Sequence, residues 1–179
     1  SFLRAPRMPL FWEEYDRGTS TLAEVTAAIS EMTGRSCETC AAVLRLAVDL
    51  QEPVRPTERL VGDLKAAGYK LYVLSNMSRE FIDFLRRFPV YGLFDGEVVS
   101  CEEHTVKPEP RIYEILLERY GLTPSETLFI DDREMNIEAA AALGISADDV
   151  VVASTGVIGQ PLTIAPIAAG LPELVAGLS

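Results

Sequence analysis

One stretch limits the fold more than any other: residues 127–136, TLFIDDREMN. Thr127, Leu128, Phe129 and Ile130 form a short apolar run that reads as a buried strand, 127–131. The run stops at two adjacent carboxylates, Asp131 and Asp132, and a helix-like segment, 136–143, follows. A buried strand that delivers acidic groups at its C-terminal end is where an open α/β sheet places its ligand site. Adjacent carboxylates repel each other unless a cation or protons relieve them. Magnesium is the natural candidate, being a hard cation that takes oxygen ligands. The plainer alternative is a strand end with two solvated acids.

The rest of the chain supplies an environment for such a strand. Thr21–Leu22–Ala23–Glu24 is a capping-box pattern. Leu22, Val25, Ile29 and Met32 then recur at helical spacing, and Gly34 closes the helix. Ser36 is placed to cap a second helix, 37–50, with an apolar face from Val43, Leu44, Leu46 and Ala47. From Pro56 onward the rhythm changes to alternation. Helices are expected at 57–67, 79–88 and 108–120, and strands at 70–74, 96–100 and 149–153. Strands alternating with helices of this length imply crossovers and a mainly parallel sheet. The expected fold is therefore α/β, with a small all-helical subdomain over residues 1–55 and a Rossmann-like core over 56–179. Within that core, 143–179 forms an atypical tail. Its apolar part, 164–178, is expected either to pack on the sheet or to dock on another copy, making a homo-oligomer.

Composition narrows the function. With 16 basic and 27 acidic residues the net charge is −11, which argues against nucleic acid and against anionic membranes. No apolar run reaches the ~18 residues of a membrane span. The N-terminus lacks the long apolar core of a signal peptide, and three cysteines do not make a disulfide framework. The expected setting is cytoplasmic.

In a parallel sheet all C-terminal strand ends lie on one edge, so groups at those ends share one crevice. Ser75 and Asn76 end the 70–74 strand, Lys107 precedes a helix start, and Asp131 and Asp132 end the 127–131 strand. A hydroxyl and an ammonium for phosphoryl oxygens, with carboxylates for a metal, make a coherent phosphate site. Leu74–Ser75–Asn76, then Val106–Lys107–Pro108–Glu109–Pro110 with Ile112–Tyr113, then Phe129–Ile130–Asp131–Asp132 followed by Asn136, resemble in order and spacing the second, third and fourth motifs of the haloacid dehalogenase superfamily. The resemblance spans roughly residues 10–142. It implies a Rossmann-like core with a helical cap, and a magnesium-dependent phosphatase of small phosphorylated metabolites, some relatives being dehalogenases or mutases. It also implies roles. Ser75 would bind the phosphoryl group, with Asn76 beside it. Lys107 would be catalytic, pairing with the phosphate and the nucleophile. Asp132 would hold Mg2+ directly, with Asp131 supporting it.

The sequence departs from that pattern in one respect. The family's nucleophile is the first Asp of an Asp-x-Asp motif after a strand that precedes the cap, and no Asp-x-Asp occurs in these 179 residues. The nearest imitation, Glu14–Tyr15–Asp16, lacks a hydrophobic strand before it and reads as a helix end. Without a positioned carboxylate, covalent phosphoryl transfer has no first step. The chain begins with Ser1, and the expectation is a truncated or inactive form, or a non-catalytic phosphate- and metal-binding module. A second resemblance lies at the other end. Ala153–Ser154–Thr155–Gly156–Val157–Ile158–Gly159–Gln160–Pro161–Leu162 resembles the oxyanion-hole segment of the ornithine/glutamate N-acetyltransferase family, over about 143–178. There Thr155 and Gly156 would stabilise an oxyanion. The alternatives are a strand with a glycine-rich turn, or a chimeric chain joined near 139–144. Cys37-x-x-Cys40 and Cys101-x-x-His104 have zinc-ligand spacing, but helical cysteines at i and i+3 more often pack as small apolar groups. His104 is the only histidine and reads as a solvated loop residue.

Overall fold

The computed structural model describes residues 9–145 as two compact units, the first ending at Val106 and the second beginning at Lys107. The first opens with helices α1 (Leu10–Asp16), α2 (Leu22–Thr33) and α3 (Cys37–Asp49). The capping box forms: the Glu24 N–H donates to Thr21 Oγ1 at 3.3 Å, and the Thr21 N–H donates to Glu24 Oε2 at 2.7 Å. α2 ends on Gly34 at φ 68°, the left-handed cap position that glycine occupies without strain. Ser36 caps α3 through the Thr39 N–H. Tyr15, Val25 and Leu44 make the shared core, with Phe11, Trp12, Leu22 and Ile29 packed around them.

The apolar face expected on α3 divides in the structure. Cys40 and Leu44, one turn apart, are buried, whereas Val43 is 60% and Leu46 54% exposed. α3 packs on α2 and against a later helix of the unit, which selects the i, i+4 row through Cys40 and Leu44. Val43 and Leu46 fall to one side of that row.

The unit continues with α4 (Arg55–Ala66), β1 (Tyr72–Ser75), α5 (Arg79–Leu85), a 3₁₀ turn (Pro89–Leu93), β2 (Gly96–Val99) and α6 (Ser100–Glu103). α4 starts two residues before the expected 57, with Pro56 in its first turn, where the missing N–H costs nothing. β1 and β2 pair in parallel, from Tyr72 opposite Gly96 to Ser75 opposite Val99. The helical connection between them is the crossover that a parallel pair requires. The architecture is thus α/β and Rossmann-like, with a helical layer ahead of the sheet. Asp95 fixes the strand starts: its carboxylate takes Lys65 at 2.6 Å, the Leu71 N–H at 2.9 Å and Lys70 at 3.1 Å. These partners, Lys65 foremost, hold the Asp95 carboxyl well below the usual carboxylate range. Ile82, Val99 and Cys101 form a second core with Met77 and Tyr91.

The second unit contains α7 (Pro110–Tyr120), a 3₁₀ turn (Pro124–Glu126) and α8 (Glu134–Ala142). The strand expected over 127–131 is reduced to a single bridging residue, Leu128, among the described residues. The segment is extended at Thr127, but one bridge is not a ladder, and strand structure needs successive backbone pairs with a neighbour. The expected strand 149–153, the tail 164–178, and Thr155 and Gly156 lie outside the described residues. No helix among the described residues is long and apolar enough to cross a membrane.

Candidate active site

The site in the second unit is built on the extended segment before α8. Phe129 is buried and packs edge-to-face on Tyr113 of α7, ring centroids 5.4 Å apart. Side chains of an extended segment alternate, so Asp131 follows Phe129 inward and is 5% exposed, while Asp132 is exposed. The two adjacent acids thereby acquire different environments. Lys107 Nζ donates to Asp131 Oδ2 at 2.6 Å, and both side chains are nearly buried. The same ammonium lies 5.6 Å from the Phe129 ring centroid, within range of a cation–π attraction. Asp131 Oδ1 accepts from the Arg133 N–H at 2.9 Å and from Asn136 Nδ2 at 2.7 Å.

Asn136 stands in the sequence as the last residue of a motif with no role attached, and the structure supplies one. It is 2% exposed, its amide N–H orients Asp131, and its own carbonyl oxygen accepts from the Tyr113 hydroxyl at 2.8 Å. Its Oδ1 is buried with no hydrogen-bond partner among the described residues. Burial, and then the charge of Asp131, raise the Tyr113 hydroxyl pKa above its ordinary value. The sequence signal for Asn136 was its offset of five from Asp131, which places it in the first turn of α8, facing back along the segment.

The structure brings Lys107 onto Asp131. Ser75 and Asn76 belong to the first unit, where Ser75 closes β1 opposite Val99. For magnesium, the donor set divides. Both oxygens of Asp131 are engaged by nitrogen donors. Asp132 is the exposed carboxylate beside it. Magnesium keeps several waters and is held through one or two carboxylates together with substrate phosphate, rather than by an all-protein cage. Among the described residues no three His, Cys, Asp or Glu side chains converge on one point, and an exposed Asp132 beside a tethered Asp131 fits that mode of binding. Cys37 is exposed and Cys40 buried in the helical layer, and Cys101 is buried next to β2.

The first unit also has a cavity of about 490 Å³, lined by residues including Tyr15, Thr21, Arg79, Glu80, Glu102 and His104. None of the residues expected to bind phosphate or metal lines it. Its wall is the end of α1, where the Tyr15 hydroxyl donates to Glu80 Oε2 at 2.6 Å. Next along, burial pushes the Asp16 carboxyl up to about 7; the nearby charge of Glu13 adds to this, and a hydrogen bond from the Ser78 backbone opposes it. A carboxyl whose folded pKa is raised contributes its full stability below the unfolded pKa and loses it as pH rises through the folded pKa. Between pH 5 and 8 the wild type is therefore expected to lose stability, whereas Asp16→Asn is expected to be flat and more stable at pH 8 by about 1–3 kcal/mol. Urea unfolding at the two pH values checks this, and equal slopes in both proteins would refute it.

Residues 9–144 match a family model described as haloacid dehalogenase-like hydrolase. The sesquiterpene phosphatase astK of Aspergillus oryzae is 28% identical over 135 residues, covering 75% of this chain and 69% of its own length. A HAD family enzyme of Bacteroides thetaiotaomicron, solved in complex with magnesium and inorganic phosphate, superposes with a TM-score of 0.66 at 27% identity, over 88% of this chain and 79% of that one. The arginine biosynthesis bifunctional protein ArgJ of Thermus thermophilus is 57% identical over 44 residues, 25% of this chain and 12% of ArgJ.

Proposed function

The chain belongs to the haloacid dehalogenase-like hydrolase family, and from that premise we propose that it binds the phosphoryl group of a small phosphorylated metabolite together with Mg2+. The observation that carries this reading is the buried Lys107–Asp131 pair beside an exposed Asp132. Lys107 supplies a fixed positive charge for a phosphoryl oxygen, and Asp131, with Asn136 behind it, sets the direction of that charge. Asp132 holds the metal, which neutralises charge on the phosphoryl group when bound. Ser75 donates its hydroxyl to a phosphoryl oxygen, and Asn76 flanks it. Support comes from the complex of the Bacteroides relative with magnesium and phosphate and from the phosphatase activity in the name of the Aspergillus relative.

The sequence contains no Asp-x-Asp, so these residues perform binding, orientation and charge neutralisation, and none of them is assigned the nucleophilic step. The chain is expected to bind Mg2+ and inorganic phosphate and to leave aryl phosphates intact. Calorimetric titration of both ligands, paired with a hydrolysis assay, tests this. Asp132→Ala should weaken Mg2+ at least about tenfold, in line with loss of a charged oxygen ligand. A folded chain that binds neither ligand overturns the reading. Turnover that disappears in Asp132→Ala would show that a carboxylate within these residues acts as nucleophile, so that the chain is an active phosphatase.

A second reading rests on the 57% identity to ArgJ over 44 residues, against 28% to the Aspergillus relative. In it the chain is a chimera joined near residues 139–144, and Thr155 and Gly156 would stabilise an oxyanion. Sequencing the native locus decides it: an uninterrupted family-typical gene through that junction excludes the chimera.

A further inference from the structure

We propose that Ser100 is a positioning residue for the phosphate-binding loop, holding the backbone after Ser75 and Asn76 and tying it to the end of α1. The inference rests on the phosphate reading of Ser75 and Asn76. Ser100 is fully buried, at 0% exposure. It is the first residue beyond β2, and the parallel register sets Ser75 opposite Val99, so the loop leaving β1 and the turn leaving β2 emerge together from one sheet edge.

The Ser100 hydroxyl makes contacts in two directions. Its Oγ accepts from the Met77 N–H at 2.8 Å and donates to the Asp16 carbonyl at 2.5 Å, with the Met77 carbonyl at 3.5 Å. A serine hydroxyl has one proton and two lone pairs, so the proton goes to α1 and a lone pair to the loop. The peptide unit is planar; anchoring the Met77 nitrogen therefore also sets the Asn76 carbonyl and the exit direction of Asn76. At its other end the hydroxyl holds the last residue of α1, whose neighbours are bonded to the same region. Tyr15 donates to Glu80 at 2.6 Å, and Arg17 and His104 exchange contacts through each other's backbone carbonyls at 3.5 and 3.1 Å. The Ser100 side chain thus joins the helical layer to the loop that follows Ser75 and Asn76, beside the bond from the Ser78 backbone to the Asp16 carboxyl. Alanine at this position removes both anchors at once, leaving the Met77 N–H and the Asp16 carbonyl without that partner.

The test uses the full chain and two probes, Mg2+ alone and inorganic phosphate at saturating Mg2+, titrated into wild type, Ser75→Ala and Ser100→Ala. Hydrogen exchange is followed at the Met77 amide. For Ser100→Ala the expected result is a phosphate dissociation constant raised about tenfold, unchanged Mg2+ affinity, faster exchange at Met77 and unchanged exchange within α2. A merely structural role would not separate phosphate from Mg2+ in this way. If Ser100→Ala binds phosphate like the wild type while Ser75→Ala has lost it, the positioning role is wrong and the phosphate reading stands. If Ser75→Ala also binds like the wild type, or the wild type binds no phosphate, the phosphate reading falls and this inference with it. Should the alanine variant fail to fold, Ser100→Cys, which weakens the donor on a slightly longer side chain, is judged by the same criterion.

Discussion

Replacing Lys107 by methionine is expected to destabilise the second unit by about 3–5 kcal/mol, because it strands a buried carboxylate. Lys107 and Asp131 are 10% and 5% exposed at their side chains and lie 2.6 Å apart. In that environment the cost of desolvating Asp131 is offset by Lys107, the Arg133 N–H and the Asn136 amide together. Methionine keeps the length of the side chain and its packing on Phe129, so the loss reads out charge rather than volume. The double variant Lys107→Met with Asp131→Leu provides the contrast. Replacing a buried pair with apolar groups is often neutral or stabilising, so the double variant is expected to regain most of the stability. It should nevertheless lose phosphate binding entirely. Thermal unfolding followed by circular dichroism, with phosphate titration alongside, checks both halves. A single variant as stable as the wild type would mean that the pair is not desolvated. A double variant that still binds phosphate would mean that Lys107 has no role in the site.

The second large effect is expected at Gly18. This residue has φ 75°, and a Cβ there would sit 2.4 Å from the Cys101 carbonyl oxygen and 2.9 Å from its Cα. Both obstacles are backbone atoms, so no side chain can swing away. Gly18→Ala is expected to cost about 3–5 kcal/mol, combining the left-handed strain of a side chain with displacement of α1 from α6. Gly34 is the control: its φ is 68°, but nothing lies within 4 Å of the position a Cβ would take, so Gly34→Ala should cost only about 1 kcal/mol. Trp12 packs on Tyr15 at a ring-centroid separation of 5.8 Å and reports the displacement by fluorescence. Equal losses at the two glycines would show that the close approach to Cys101 carries no energy.

Much of the fold was legible along the chain. The capping box at Thr21, the Ser36 cap and the glycine stop at Gly34 lie within a few residues of what they act on, so local chemistry decides them. β1 and β2 were legible to within one or two residues, because each is a short apolar run bounded by turns. The expectation failed where the outcome depends on a distant partner. The 127–131 segment has the composition of a strand, yet among the described residues it makes one bridge, at Leu128. A ladder belongs to two segments, and one cannot specify it. The apolar residues of α3 likewise carried no mark telling Leu44 from Val43, since only the packing of neighbouring helices selects a row.

The candidate site divides in the same way. The sequence by itself determined the order and spacing of the polar residues: Ser75 and Asn76 at the end of β1, Lys107 ahead of α7, and Asp131 and Asp132 ahead of α8. The lack of Asp-x-Asp was equally plain. Only the tertiary structure decided that the two adjacent acids are unlike. Phe129, held against Tyr113, turns Asp131 inward to Lys107 and Asn136 and leaves Asp132 exposed. Tertiary structure also drew in Ser100, which has no motif of its own and bonds to Met77 and Asp16, 23 and 84 positions away. The physical reason is range. Residue chemistry and periodicity act over a turn or a strand, whereas burial and hydrogen-bond partners are set by whatever the folded chain brings alongside.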